Sequence, residues 1–174
     1  MTVSFRRLLF SLFLALSHSL ALADELTGQV VRVLDGDTLE VLTPQKVLHR
    51  IRLIGIDAPE KKQAFGDASK RAMSDLAFSR NVVVVYNKRD RYGRIVGLVR
   101  HGAADVGLAL VRRGLAWHYK KYQSEQTPLD RDGYSDAEQL ARKESVGVWG
   151  DSTPIAPWDF RKRKGTVLVK APEG

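Results

Sequence analysis

Two rhythms of apolar residues divide the chain. From Leu26 to Ile56 they come in β-rich runs, LTGQVVRVLD (Leu26–Asp35), TLEVL (Thr38–Leu42) and VLHRIRLIGI (Val47–Ile56). Asp35-Gly36-Asp37 and Thr43-Pro44-Gln45 separate them with turn chemistry, so the three runs predict a meander of strands. FGDASKRAMSDLAFSR then sets Ala68, Ala72 and Leu76 four residues apart, with Phe65 and Met73 flanking the same stripe, which is the spacing of an amphipathic helix. NVVVVYNK and RIVGLVRHG read as two more strands linked through RDRYG. Asp105 is placed to cap VGLALVRR, and Gly114 stands where a left-handed residue ends a helix. A third helix is expected over GYSDAEQLARKES (Gly133–Ser145), where Tyr134, Ala137 and Ala141 share one side. Five strands in two groups, one helix between the third and fourth and two at the end predict an α+β chain built on a small Greek-key barrel.

The two ends read differently from this middle. Arg6 and Arg7 precede the apolar run LLFSLFLAL, and Ala21-Leu22-Ala23 has the small-x-small form of a processing site, so residues 1–23 are expected to be a signal peptide removed on export. Ser17, His18 and Ser19 cut the apolar run short of the ~20 residues a spanning helix needs, so no stable membrane insertion is expected after processing. A domain over 24–150 follows. Residues 151–174 hold three of the six prolines and the basic run Arg161–Lys164, and are expected to be a basic, flexible tail that packs loosely or not at all and adds sequence-independent attraction for phosphate.

The chain carries a net charge of +8, which removal of Arg6 and Arg7 with the leader lowers by two. A basic surface favours a polyanionic partner without specifying any chemistry. With no cysteine, disulfides, thiol catalysis, zinc-thiolate sites and iron–sulfur clusters are excluded, and the exported fold must hold by packing alone.

Candidate chemistry sits where strands end in acids. A lone Asp-Gly turn is ordinary, but IRLIGIDAPE (Ile51–Glu60) ends a second apolar run in Asp57 and Glu60 around Pro59. Proline at 59 holds Ala58 extended and turns its carbonyl outward as a possible ligand. Two carboxylates and a carbonyl, completed by water, suit a hard cation such as Ca²⁺. Arg52 and Arg94 are the candidate cationic partners. Arg52 and Asp57 are five apart, which on a regular strand puts them on opposite faces; a bulge or bend at Gly55 restores a common side. Tyr92 beside Arg94 in DRYGR, and the aromatic and basic residues of WHYKKY (Trp117–Tyr122), have the makings of base stacking and phosphate contact, with Trp117 more suited to the core. His49, His101 and His118 show no metal-ligand spacing and are read as structural or surface residues.

LDGDT, RLIGIDAPE, DRYGR and ALVRRGLAW, in that order, resemble the staphylococcal nuclease (thermonuclease) family over about Thr27 to Trp149. The resemblance implies a five-stranded OB-fold barrel with three helices and Ca²⁺-dependent hydrolysis of DNA and RNA that leaves 3′-phosphate ends. It implies metal contacts from Asp37, Asp57 and the Ala58 carbonyl, with Asp35 behind them. Ala58 stands where family members often have threonine, which keeps the carbonyl and loses a hydroxyl. Arg52, Arg94 and Glu60 match the catalytic residues, Arg91 and Tyr92 match positions near the terminal phosphate, and Tyr122 and Tyr119 border the base pocket. A monomer is the expectation. The competing reading from another class is a non-catalytic nucleic-acid-binding module on the same barrel, against which the intact set of acids and arginines argues.

Overall fold

The computed structural model describes residues 23–169. The leader expected over residues 1–23 therefore lies, except for Ala23, outside the described residues. Strands β1 (Asp24–Val33), β2 (Thr38–Leu42) and β3 (Leu48–Leu53) form the expected antiparallel meander, β3 pairing with β2 and β2 with β1. The third apolar run does not continue as one strand. It breaks at Ile54-Gly55, where Gly55 takes φ 75°, and resumes as the short β4 (Ile56–Asp57). Helix α1 (Gly66–Ala77) leads to β5 (Asn81–Arg89) and β6 (Ile95–His101). Strand β1 pairs with β5, β5 with β6, and β6 runs parallel to β3, which closes five strands into a barrel.

Closure follows from the alternation along each strand. Val30 and Val33, Leu39 and Val41, Ile51 and Leu53, and Val82 and Val84 all point into one interior and are buried. Each such side chain stabilises the fold by roughly 1.5–3 kcal/mol against exposure. The two-residue strand β7 (Ala104–Asp105) leads into α2 (Val106–Arg112), which Asp105 caps by accepting from the Leu108 N–H at 3.0 Å. Strand β8 (Trp117–His118) pairs with β4 and thereby carries the chain back beside Asp57. A 3₁₀ segment (Lys120–Glu125), helix α3 (Pro128–Lys143) and a second 3₁₀ turn (Gly147–Gly150) follow.

Helix α3 begins five residues before the sequence pattern places it. Thr127 caps it, accepting from the Asp130 N–H at 3.1 Å, and Pro128 occupies the first turn, where its missing N–H costs nothing. Tyr134 of α3 is buried and donates to the Asp105 carboxylate at 2.9 Å, tying α3 to the cap of α2. The largest difference lies at the C-terminus. Where a loosely packed tail is expected, the chain forms a fourth helix, α4 (Pro157–Val169), whose first turns pack on the barrel. Trp158 stacks on Tyr119 with centroids 5.2 Å apart and planes 6° from parallel, and the Gln63 amide donates to the Ile155 carbonyl at 2.6 Å. Leaving a Trp and a Phe in water is unfavourable, and the segment PWDF recovers that free energy by docking. No helix among the described residues is long and apolar enough to cross a membrane.

Candidate active site

One open cleft of about 670 Å³ lies on the barrel flank where β2, β3, β4, the β5–β6 loop and the segment after β8 meet. Asp35, Asp37, Arg52, Asp57, Glu60, Arg91, Tyr92, Arg94, Tyr119 and Tyr122 all line it. Ala58 is buried, and its N–H donates to Asp37 Oδ2 at 3.3 Å.

Local structure explains each placement. The turn before β2 is an Asx turn in which the Asp37 N–H donates to Asp35 Oδ1 at 3.0 Å. Gly36 is required there because a Cβ would come within 2.7 Å of the Ala58 Cβ and 2.0 Å of Ser69 Oγ, so the acidic turn can lie flat against the Ala58 segment. The Thr38 hydroxyl donates to Asp37 Oδ1 at 2.8 Å, which fixes that carboxylate. The bend at Gly55 does what the parity of Arg52 and Asp57 demands. Arg52 Nη2 lies 3.5 Å from Asp57 Oδ1 and 3.6 Å from Asp37 Oδ2, and also donates to the Ile56 carbonyl at 3.3 Å. A Cβ on Gly55 would meet the Gln126 amide at 2.3 Å, so the bend is closed over by the chain after β8.

Asp37 and Asp57 are 8% and 1% exposed, an unusual burial for two facing acids. Burial pushes the Asp57 carboxyl up, and the charge on Asp37 adds to that, against the pull of Arg161 and Arg52. Asp35 is pushed up to about 6, by burial first and then by Asp37. Across the cleft, Arg94 Nε donates to Asp90 Oδ2 at 2.7 Å. Burial raises the Asp90 carboxyl, but hydrogen bonds from Arg94 and from the Tyr92 N–H outweigh it and hold the group below its usual range. Tyr92, 72% exposed, offers an open ring, with the Arg91 and Arg94 guanidinium carbons 5.4 and 5.6 Å from its centroid. Tyr119 lies edge-on to Tyr122 at 5.0 Å, and Arg52 lies 5.9 Å from the Tyr119 ring.

His118 is buried outside the cleft lining, with Nε2 2.9 Å from Gln126 Oε1 and its main-chain N–H donating to Glu138 Oε1 at 3.1 Å. That is a packing role.

Over residues 50–151 the chain matches the family described as staphylococcal nuclease homologues. It is 43% identical over 145 residues to an uncharacterized endonuclease of Escherichia coli, covering 82% of this chain and 90% of the relative. The chain belongs to the staphylococcal nuclease family. A relative named micrococcal nuclease, from Shigella flexneri, is 37% identical over 144 residues, covering 78% of this chain and 80% of its own. The staphylococcal-like nuclease CAN1 of Arabidopsis thaliana is 36% identical over 115 residues, 66% of this chain and 34% of that longer protein.

Helix α4 lies beyond residues 50–151, over which the chain matches the family description, and it brings the residue that sequence reasoning missed. Arg161 lines the cleft, with Nη1 and Nη2 donating to Asp57 Oδ1 at 3.1 Å and Oδ2 at 2.7 Å, and Nη1 donating also to Glu60 Oε1 at 2.7 Å. The expectation that the basic run belongs to a tail that packs loosely or not at all therefore fails for its first residue. The signal available was the run PWDFR: a proline suited to a helix start, two aromatics that resist exposure, and an arginine one turn on.

Proposed function

We propose that this member of the staphylococcal nuclease family is an exported, Ca²⁺-dependent endonuclease that hydrolyses phosphodiester bonds of DNA and RNA and leaves 3′-phosphate and 5′-hydroxyl ends. The observation that carries the reading is the convergence of Asp37, Asp57, Glu60, Arg52 and Arg94 on one open cleft. They come from three stretches of chain, the turn at Asp37, the run Ile51–Glu60 and the β5–β6 loop with Arg94, which have no need to meet unless the cleft does something.

The residues fit a hard divalent cation. Among the described residues no three His, Cys, Asp or Glu side chains converge as a metal cage. An ion here therefore draws on Asp37, Asp57, the Ala58 carbonyl and water, a partly open oxygen shell. The raised carboxyl of Asp57, buried beside Asp37, is the mark of a site that an added cation relieves. When bound, Ca²⁺ supplies electrophilic stabilisation of the phosphoryl oxygens. The chain's own groups do the rest. Arg52 and Arg94 present guanidinium forks to oxygens on which charge develops, and so stabilise the transition state more than the ground state. Glu60, at the cleft edge, orients a water and accepts its proton. Arg91 and Tyr92 contact the terminal phosphate, and Tyr119 and Tyr122 border a base. Asp35 orders the turn that holds Asp37.

Residues 1–23 act as the export signal, 24–150 carry the catalytic barrel, and the protein works as a monomer. Incubation with plasmid DNA and with RNA, in Ca²⁺ or in chelator, followed by mapping of the ends, tests the reading. Cleavage only in Ca²⁺ with 3′-phosphate ends is expected. Binding without cleavage would instead support a non-catalytic module.

A further inference from the structure

Arg161 has no part in the reaction just described, yet it holds two of its groups. Its fork takes both oxygens of Asp57 at 2.7 and 3.1 Å, and the same guanidinium reaches Glu60 at 2.7 Å. Asp57 is 1% exposed, so an arriving ion finds its carboxylate edge already covered. The same guanidinium also occupies Glu60 Oε1, an atom that the reaction above needs for its water.

Resting on the metal and Glu60 reading above, we propose that Arg161 is a resident cation that locks the site, competing with the divalent metal for Asp57 and setting the metal concentration at which the enzyme becomes competent. Like charges held close together in a half-buried site repel far more than they do in water. A divalent ion at Asp57 repels an adjacent guanidinium more strongly still, and displaces it. Displacement costs little because the Arg161 side chain is 43% exposed and water receives the freed fork. The helix itself need not leave. Trp158 stays stacked on Tyr119, and Gln63 joins the Glu60 segment to the α4 segment by accepting from the Glu60 N–H at 3.1 Å and donating to the Ile155 carbonyl at 2.6 Å. Only the side chain has to swing.

The test is Ca²⁺ affinity, measured by calorimetry on the full chain and on its Arg161→Gln and Arg161→Lys variants, without substrate. Arg161→Gln is expected to bind Ca²⁺ at least about tenfold more tightly than wild type, because the competitor is gone. Arg161→Lys, which keeps the charge but loses the fork, is expected to fall between them. In chelator, Arg161→Gln is expected to melt below wild type, since buried Asp57 loses a partner, and added Ca²⁺ is expected to close that gap. Unchanged or weaker Ca²⁺ binding in a folded Arg161→Gln overturns the lock alone. If that variant does not fold, Arg161→Lys decides by the same criterion. Absence of Ca²⁺ binding in all three proteins overturns both the lock and the metal reading beneath it.

Discussion

Glu40 and Asp57 are both buried carboxylates held between two arginines, and the two settings have opposite effects. Glu40 Oε2 accepts from Arg32 Nε at 2.7 Å and Oε1 from Arg50 Nη2 at 3.0 Å, all on the antiparallel face shared by β1, β2 and β3. Burial pushes the Glu40 carboxyl up, but the hydrogen bonds from Arg50 and Arg32 outweigh it and leave the group below its usual range. Asp57 also has two guanidinium groups, yet its carboxyl stays raised, because burial is deeper and Asp37 adds a like charge. Two arginines serve one acid at Glu40, whereas at Asp57 they face Asp37, Asp57 and Glu60 together. The first cluster is complete as it stands and holds strands in register. The second is deficient in positive charge, and that deficiency is what the proposed metal ion would meet.

The comparison breaks most sharply at Asp57 itself. Asp57→Asn keeps the side chain's shape and removes the proposed metal ligand, so kcat/KM in Ca²⁺ is expected to fall on the order of 10³-fold or more. The melting temperature in chelator is expected to hold or rise, since the raised carboxyl makes the charged form the costly one. A variant that cuts normally would place Asp57 with Glu40 as a structural acid. Arg94→Ala comes next. Its fork acts on developing charge, so single-turnover cleavage is expected to slow by ~10²-fold, about 3 kcal/mol, with substrate affinity far less affected.

Asp35→Asn is expected to stabilise the fold by about 1–3 kcal/mol at pH 7, because a carboxyl pushed up to about 6 opposes folding once ionised. The sign fixes the pH window: the gain is full above the folded value, shrinks as pH falls through about 6 and is lost near the ordinary value of 3.8. Thermal melts across pH 4–8 check it, and a gain independent of pH would refute it. Glu40→Gln gives the smallest effect, a loss of about 1–2 kcal/mol in chemical denaturation with cleavage unchanged, because both arginine partners are half-exposed and rehydrate.

The barrel was legible in the sequence because its strands are punctuated by strong turn chemistry and alternate inward and outward residues. The acidic turn at Asp35–Asp37 and the bend at Gly55 were legible for the same reason, since parity on a strand is a local rule. The start of α3 was missed because Gly133 resembles a boundary, while Thr127-Pro128, the actual start, lies in a polar stretch. Arg161 was missed for a deeper reason. It lies 104 residues from Asp57, and nothing local in a basic run says which of its charges will dock. Only Trp158 and Phe160, costly to leave in water, marked that segment as packed.

The claim that the charge-deficient cluster is a hydrolytic centre is tested most directly at Glu60. Wild type and Glu60→Gln are to be compared for Ca²⁺ binding, nucleic-acid binding and single-turnover cleavage, with folding checked by circular dichroism. Gln keeps the shape and hydrogen bonding of Glu but cannot accept a proton from water, so both affinities should hold while cleavage falls by ~10²-fold or more. Cleavage by Glu60→Gln at the wild-type rate, or by wild type equally well in chelator, would contradict the account.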